Sequence, residues 1–376
     1  MSKPSLKAVY RTTHDEASRQ AFVGALKAFV NGPLEARLAR RYEDELKPAF
    51  VETHGRAPQN RIEGTEAFAG DHLFQLWGSA VFSSQDLMWE TLDETCSRLL
   101  PTFEARRQAL ANRTPLGSLE LTENFVPPDP IRQVEIHRQP GGYFGQPGDK
   151  SLRLGMDYLG TGQLYMAAKG ISEVGRAGEP GMGNFILGAL QKRFSNLDPG
   201  SILDLGCGAG LQTVAYKHAF PSAKVSGVDL SAPFLRFAHV WAEDKDLAIN
   251  YRQADARHTG FADGQFDLIV SHILFHETWH DILPGIMKEA HRLLAPGGIF
   301  LNGDTPYQPD RLSIPRQVTN HWQVVNNGEP FWTGFADTDI RQTLIDGGFA
   351  ADQVFAEYDP LGAGEFYIFG GVKTEQ

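Results

Sequence analysis

The sequence predicts an α/β protein, a mostly parallel sheet covered by helices on both faces, preceded by a mainly helical N-terminal domain. Three observations predict it. From about residue 183 short apolar runs alternate with helix-periodic segments, and such βα repetition builds parallel sheets with helices on either side. The first 126 residues instead return apolar side chains at helical spacing. The chain has 376 residues, more than the ~250–300 at which a single core stops growing. With 41% hydrophobic and 22% charged residues the composition is that of a globular protein, neither disordered nor fibrous.

In the N-terminal domain, residues 1–126, Phe22, Leu26, Phe29 and Val30 define one helical face. Leu34, Leu38 and Tyr42 define another after Gly32-Pro33, a pair expected to separate two helices. Leu73 to Leu100 carries Phe74, Trp77, Phe82, Met88 and Trp89, which suit a core or a homodimer contact, with a substrate-pocket wall as the alternative. Residues 127–182 form the connector. Its first part is punctuated by Pro and Gly and holds a strand at most, around Val134 and Ile136. Its second part, 151–182, mixes aromatics with glycines and reads as a flap over a ligand or as a linking helix and loop.

Residues 183–376 carry the alternation. Ser201–Leu205 is a strand ending in glycines, followed by a helix over LQTVAYKHAF and a strand at Lys224–Val228. The next helix places Phe234, Phe237, Ala238 and Trp241 on one face. A strand at Phe266–Val270, a helix around Ile282–Leu294 and a strand at Gly298–Leu301 continue the pattern. An insert, residues 305–336, brings His321, Trp322, Phe331 and Trp332 to a strand end, where inserts shape substrate pockets.

The bulk numbers bound the partners. A net charge of -11 leaves no uniformly basic surface, so no nucleic-acid partner is expected. The N-terminus is polar, without the apolar core of a signal peptide, and no run approaches the ~20 apolar residues of a membrane span. A cytoplasmic protein without a membrane partner is the expectation. Two cysteines, Cys96 and Cys207, cannot build a disulfide framework or a multi-thiolate zinc site.

The chemistry concentrates in Ile202-Leu-Asp-Leu-Gly-Cys-Gly-Ala-Gly210. A strand entering a glycine-rich turn before a helix is a ligand cradle, because glycine lets the backbone approach what it binds. A dinucleotide fingerprint would need its third glycine where Leu211 stands, and no Gly-Lys-Ser/Thr follows to make a P-loop. The segment resembles the first motif of class I S-adenosylmethionine-dependent methyltransferases, an acidic residue followed by Gly-x-Gly-x-Gly, here Asp204 with Gly206, Gly208 and Gly210. The resemblance implies a Rossmann-like domain with an antiparallel last strand, and S-adenosyl-L-methionine as cofactor with its methionine part on this loop. It continues in order through residues 183–376. Asp229, in Gly227-Val-Asp-Leu-Ser231, matches the residue that takes the ribose hydroxyls, with Leu230 beside it; an ionised carboxylate suits a diol. Asp255 matches the acceptor of the adenine amino group, with Ala256 adding backbone contact, and Ser271 ends the matching fourth strand. Leu294-Ala-Pro-Gly-Gly298 matches the turn before the fifth strand, and Asp339–Gly347, Gln353–Tyr358 and Glu365–Val372 match the closing helix and strands. The added helical domain resembles small-molecule methyltransferases, in which it dimerises or lids the site.

His276-Glu277-Thr278-Trp279-His280 has the spacing of a zinc-peptidase helix. That geometry needs one continuous helix, whereas Pro284 belongs in a first turn and Asp281 suits the N-cap of the helix that follows. Both histidines are therefore expected in a loop, facing substrate, with no metal ligands assigned. His276 is the first choice of general base because a neutral imidazole works near neutral pH, with Glu277 second and His272 third. The expected function is methyl transfer to an oxygen or nitrogen of a small molecule, in the manner of natural-product biosynthesis. The alternatives are a metal-dependent hydrolase using His276-Glu277-x-x-His280, methyl transfer that is metal-assisted or directed to carbon, and a non-catalytic cofactor-binding protein.

Overall fold

Apolar runs buried on both sides need a layer on each face, and the chain supplies both. An eight-stranded sheet runs in the order β1-β4-β3-β2-β5-β6-β8-β7. The strands are β1 Ser118–Glu120, β2 Ser201–Leu205, β3 Lys224–Asp229, β4 Ile249–Gln253, β5 Phe266–His272, β6 Leu294–Asp304, β7 Val354–Tyr358 and β8 Tyr367–Val372. Every pairing from β1 to β6 is parallel, and β8 runs antiparallel to both β6 and β7. The computed structural model describes residues 5–146, 148–168, 181–305, 311–358 and 367–374. Residues 169–180 of the flap-or-linker segment, 306–310 of the insert and residues 365–366 of the last expected strand lie outside that range.

One face of the sheet, through Ile202, Val225 and Leu268, packs against Phe234, Phe237 and Trp241 of the helix Ala232–Asp244. The other, through Leu203, Ile269 and Phe300, packs against Ile286, Ala290 and Leu293 of the helix Leu283–Leu293. The N-terminal helices extend the first of these cores. The helix His72–Ala111, capped by Asp71, contributes Cys96, Leu99, Phe103 and Leu110 to it. Arg106 Nε lies 2.5 Å from the buried Asp244 carboxylate, which also accepts from Leu6 N at 2.7 Å. Removing one partner of such a buried pair leaves an uncompensated charge, so the two halves are pinned by polar as well as apolar contact.

Several elements differ from expectation. Gly32-Pro33 does not break the helix: His14–Phe29 runs into a π-helical turn, Val30–Leu34, which absorbs the N–H that proline lacks. Phe22 and Phe29 point outward, 62% and 48% exposed, while Val30, Leu34, Leu38 and Tyr42 join Phe68 and Trp77 in a separate cluster. The N-terminal 126 residues also contain a strand, β1, which takes the sheet edge beside β4. The expected strand around Val134 and Ile136 is instead a pair of 3-10 turns, because His137 and Arg138 hold φ of 56° and 55°, which no strand accommodates. Asp281 does not cap the next helix; a 3-10 turn, His280–Ile282, intervenes, and the Asp281 carboxylate accepts from Trp279 Nε1 at 2.9 Å. Among the described residues no helix is long and apolar enough to cross a membrane.

The described part of the segment 151–182 includes a packed helix, Arg153–Ala168. Glycine decides how closely it approaches its neighbours. A Cβ on Gly155 would lie 2.1 Å from Phe237 Cγ, and one on Gly160 would lie 2.4 Å from Tyr10 Oη. Gly155→Ala should therefore cost about 1–3 kcal/mol through overpacking, read as a lowered midpoint of thermal or urea unfolding. An unchanged midpoint would show that this helix does not bear on the Phe237 face.

Candidate cofactor cleft and acceptor site

β2 ends in a turn that only glycine accommodates well. Gly206, Gly208 and Gly210 have φ of 66°, 52° and 72°, a region costly for other residues. A Cβ on Gly206 would meet Leu274 Cδ1 at 2.5 Å, and one on Gly210 would meet Ala238 Cβ at 2.7 Å, so these two are closed in by protein. Gly208 has nothing within 4 Å of that position and lines a cleft at the carboxyl ends of β2 to β5. This is where an open α/β sheet binds ligands.

Beside Gly208, Asp229 closes β3. Its Oδ2 accepts from Gly208 N at 2.9 Å and its Oδ1 from Ser231 N at 2.8 Å. A carboxylate has about four acceptor positions, so Asp229 keeps capacity for a diol in the cleft that it lines. Leu230, Asp255 and Ala256 line the same cleft, with Val228, Phe234 and Ile286 as apolar surface. The Asp255 carboxylate is gripped by Arg257, whose Nη2 lies 2.6 Å from Oδ2 and whose backbone N donates to Oδ1 at 2.8 Å. Asp204, Gly210 and Ser271 are not on the cleft wall. Asp204 Oδ2 accepts from Thr213 Oγ1 at 2.6 Å beneath the turn, and Ser271 Oγ is spent on Asn302 Oδ1 at 2.5 Å within the sheet. Ser271, expected beside the cofactor, thus has its hydroxyl turned from β5 to the neighbouring strand β6.

At the far end of the cleft, Glu277 leads into a polar cluster drawn from three segments. Glu277, on the 3-10 turn Phe275–Glu277 after β5, lines the cleft. His137 of the connector reaches it, Nε2 2.5 Å from Glu277 Oε1, and places Nδ1 2.9 Å from Glu329 Oε1 of the insert. His276 stands behind. Its Nδ1 lies 2.5 Å from Asp304 Oδ1 and its Nε2 3.2 Å from Glu277 Oε1, and the ring is off the cleft wall. Burial pulls the pKa of His276 down, but Asp304 and Glu277 outweigh it and hold the ring well above its ordinary value; His137 is held up in the same way by Glu277 and Glu329. Glu277, despite burial, is kept ionised by His137 and His276. His272 lines the cleft, and burial lowers it to about 4, so its imidazole is neutral.

Of the three residues expected to do chemistry, Glu277 and His272 therefore face the cleft, and His276 backs Glu277. The peptidase spacing does not assemble a site: His280 is 42% exposed, with Nε2 3.2 Å from Asp281, on a different turn from His276. His137, Glu329, Asp304, Tyr143 and Tyr158 were not legible as site residues. An acidic residue in the aromatic insert, Asn327-Gly-Glu-Pro-Phe331, was the one local signal for Glu329.

Sheet order, reversed last strand and a glycine turn facing an acidic strand end define a Rossmann-like protein that binds a nucleoside cofactor. Comparison with known proteins narrows this. A methyltransferase-domain family matches residues 202–298. An uncharacterized methyltransferase of Synechocystis sp. is 30% identical over 162 residues, 41% of this chain and 68% of that protein. Malonyl-[acyl-carrier protein] O-methyltransferase of Geobacter sulfurreducens is 30% identical over 167 residues, 43% of this chain, and the match spans 60% of that relative's length. The solved structure of phosphoethanolamine N-methyltransferase 2 from Haemonchus contortus overlays with a TM-score of 0.40 at 20% identity, over 51% of this chain and 53% of that one. The chain belongs to the class I S-adenosylmethionine-dependent methyltransferases.

Asp204 supplies a pH test. Burial, with a smaller contribution from Asp229, lifts it from 3.8 to about 7. The folded state then holds a proton that the unfolded state has lost, so this group's contribution is complete below about pH 4 and is lost as pH rises through about 7. Between pH 5 and 8 the wild type should lose unfolding free energy relative to Asp204→Asn, with a slope of at most ~1.4 kcal/mol per pH unit. Parallel pH profiles of the two proteins would remove Asp204 from the titration.

Proposed function

We propose that the chain transfers the methyl group of S-adenosylmethionine to an oxygen or nitrogen of a small molecule. The observation that carries this reading is one cleft with two unlike ends: the open face of Gly208 with the Asp229 carboxylate, and the Glu277 carboxylate held by His137 and His276. The cofactor fits the first end. Gly208 leaves room for it against the backbone, Asp229 has free acceptor capacity, and Leu230, Ala256 and Ile286 offer apolar surface to an adenine. The bound cofactor supplies an already activated methyl group on a sulfonium.

This chain's residues then need to orient the acceptor and take its proton. Alignment is worth on the order of ~7–11 kcal/mol in well-oriented systems, and general-base help adds ~10²–10⁴-fold. We assign the base to Glu277, which faces the cleft, and a positioning role to His276, whose two nitrogens are turned to carboxylates. Tyr143, Tyr158 and Phe234, with ring centroids 5.6 and 5.3 Å from Phe234, form an aromatic wall beside the cleft, which suits a planar or apolar acceptor. The Geobacter relative is named an O-methyltransferase, which supports oxygen.

Calorimetry with S-adenosylmethionine should give one site per chain, weakened at least tenfold by Asp229→Ala or Gly208→Val. No heat from the wild-type protein would end this reading. In a methyl-transfer screen over small hydroxylated and amino compounds, Glu277→Gln should lower turnover by ~10²–10⁴-fold while cofactor affinity stays within about threefold of wild type. Retained turnover would take the base role from Glu277.

A further inference from the structure

The polar end of the cleft is built of groups that attract more than an acceptor. His137, Glu277 and Glu329 come from the connector, the β5 loop and the insert, and offer donor atoms that all lie within 4.8 Å of one another. Glu277 and Glu329 are only 9% and 7% exposed. Their Oε2 atoms are buried without a hydrogen-bond partner, and an unsatisfied buried carboxylate oxygen is costly unless something positive meets it. We propose that His137, Glu277 and Glu329 bind one divalent first-row transition-metal ion, with His276 Nε2 as a further donor at its edge.

Independent features of the cluster agree. His276 turns Nδ1 to Asp304, itself held by Phe275 N at 2.8 Å and Thr305 N at 2.7 Å, and so presents Nε2 to Glu277 at 3.2 Å and Glu329 at 4.0 Å. An imidazole backed by a carboxylate on its far nitrogen is the usual arrangement of a metal-bound histidine. Charge is compatible with it: Glu277, Glu329 and Asp304 place three carboxylates around two imidazoles, and a dication between neutral rings supplies the same positive charge that two protonated rings would. Mixed imidazole and carboxylate donors favour zinc, manganese or iron(II) over magnesium or calcium, which prefer oxygen alone. Because Glu277 lines the cleft, the ion is reachable from it and would face the acceptor as a Lewis acid. That role rests on the methyl-transfer reading, with Glu277 then holding the ion against the acceptor in place of taking its proton; the binding of the ion does not.

The full-length chain, washed with chelator, should take up one Mn²⁺ per chain by electron paramagnetic resonance, displaced by Zn²⁺ and not by equimolar Ca²⁺. Glu329→Gln and His137→Ala should each weaken Mn²⁺ at least tenfold, and Asp304→Asn by ~10–100-fold, whereas His280→Ala should leave it unchanged. Heat from S-adenosylmethionine, measured on the same preparations, reports separately on the fold and on the methyl-transfer reading. Wild-type protein that binds less than about half an equivalent at ~1 mM Mn²⁺, or equal binding by wild type, Glu329→Gln and His137→Ala, would overturn the site and leave a network of protonated imidazoles in its place. Loss of the ion in His280→Ala would overturn it as well.

Discussion

The site depends on one hydrogen bond, from Gly208 N to Asp229 Oδ2 at 2.9 Å. It ties the turn after β2 to the end of β3, the two strands at the centre of the parallel sheet. It exists because Gly208 takes a left-handed φ of 52°, which aims its N–H at the neighbouring strand and leaves its α-carbon bare toward the cleft. Packing holds that geometry from behind, since Gly206 abuts Leu274 and Gly210 abuts Ala238 and Tyr251 with no room for a side chain. The cradle's shape and its anchoring carboxylate are two results of the same backbone conformation.

Burial makes the carboxylates around this cradle expensive, and their partners show how the fold manages it. Asp204 shares a proton-bearing contact with Thr213, Asp229 accepts from two backbone amides, and Asp255 is clamped by Arg257. At the other end, Glu277 and Glu329 are met by imidazoles. The cleft is therefore a low-dielectric space with fixed charges at both ends, and such preorganised charges act more strongly than they would in water. The N-terminal half belongs to the same device. Tyr143 and Tyr158 line the cleft, and His137 reaches its Glu277, from segments that precede the first central strand, and Val318 of the insert helix is buried in the N-terminal helical cluster.

Much of this was legible because it is local. Alternating apolar runs set the strands and helices, glycines at 206, 208 and 210 set the turn, and the acidic residues at 204, 229 and 255 mark strand ends whose positions follow from those runs. Local chemistry also separated the histidines at 276 and 280, since Pro284 forbids the continuous helix that a peptidase needs. Boundaries inside the N-terminal half were less legible. Pro33 within a π-helical turn and β1 on the sheet edge answer to packing against distant segments, which overrides local propensity.

The sequence by itself determined the α/β alternation, the glycine turn and the acid at the end of β3, because each is encoded by neighbours along the chain. Tertiary structure alone decided the polar end: that His276 turns away from the cleft toward Asp304, that Ser271 is spent on Asn302, and that His137, Glu277 and Glu329 meet. The reason is physical. A side chain's partner, burial and charge state depend on which remote segment packs against it, and no periodicity or spacing records that.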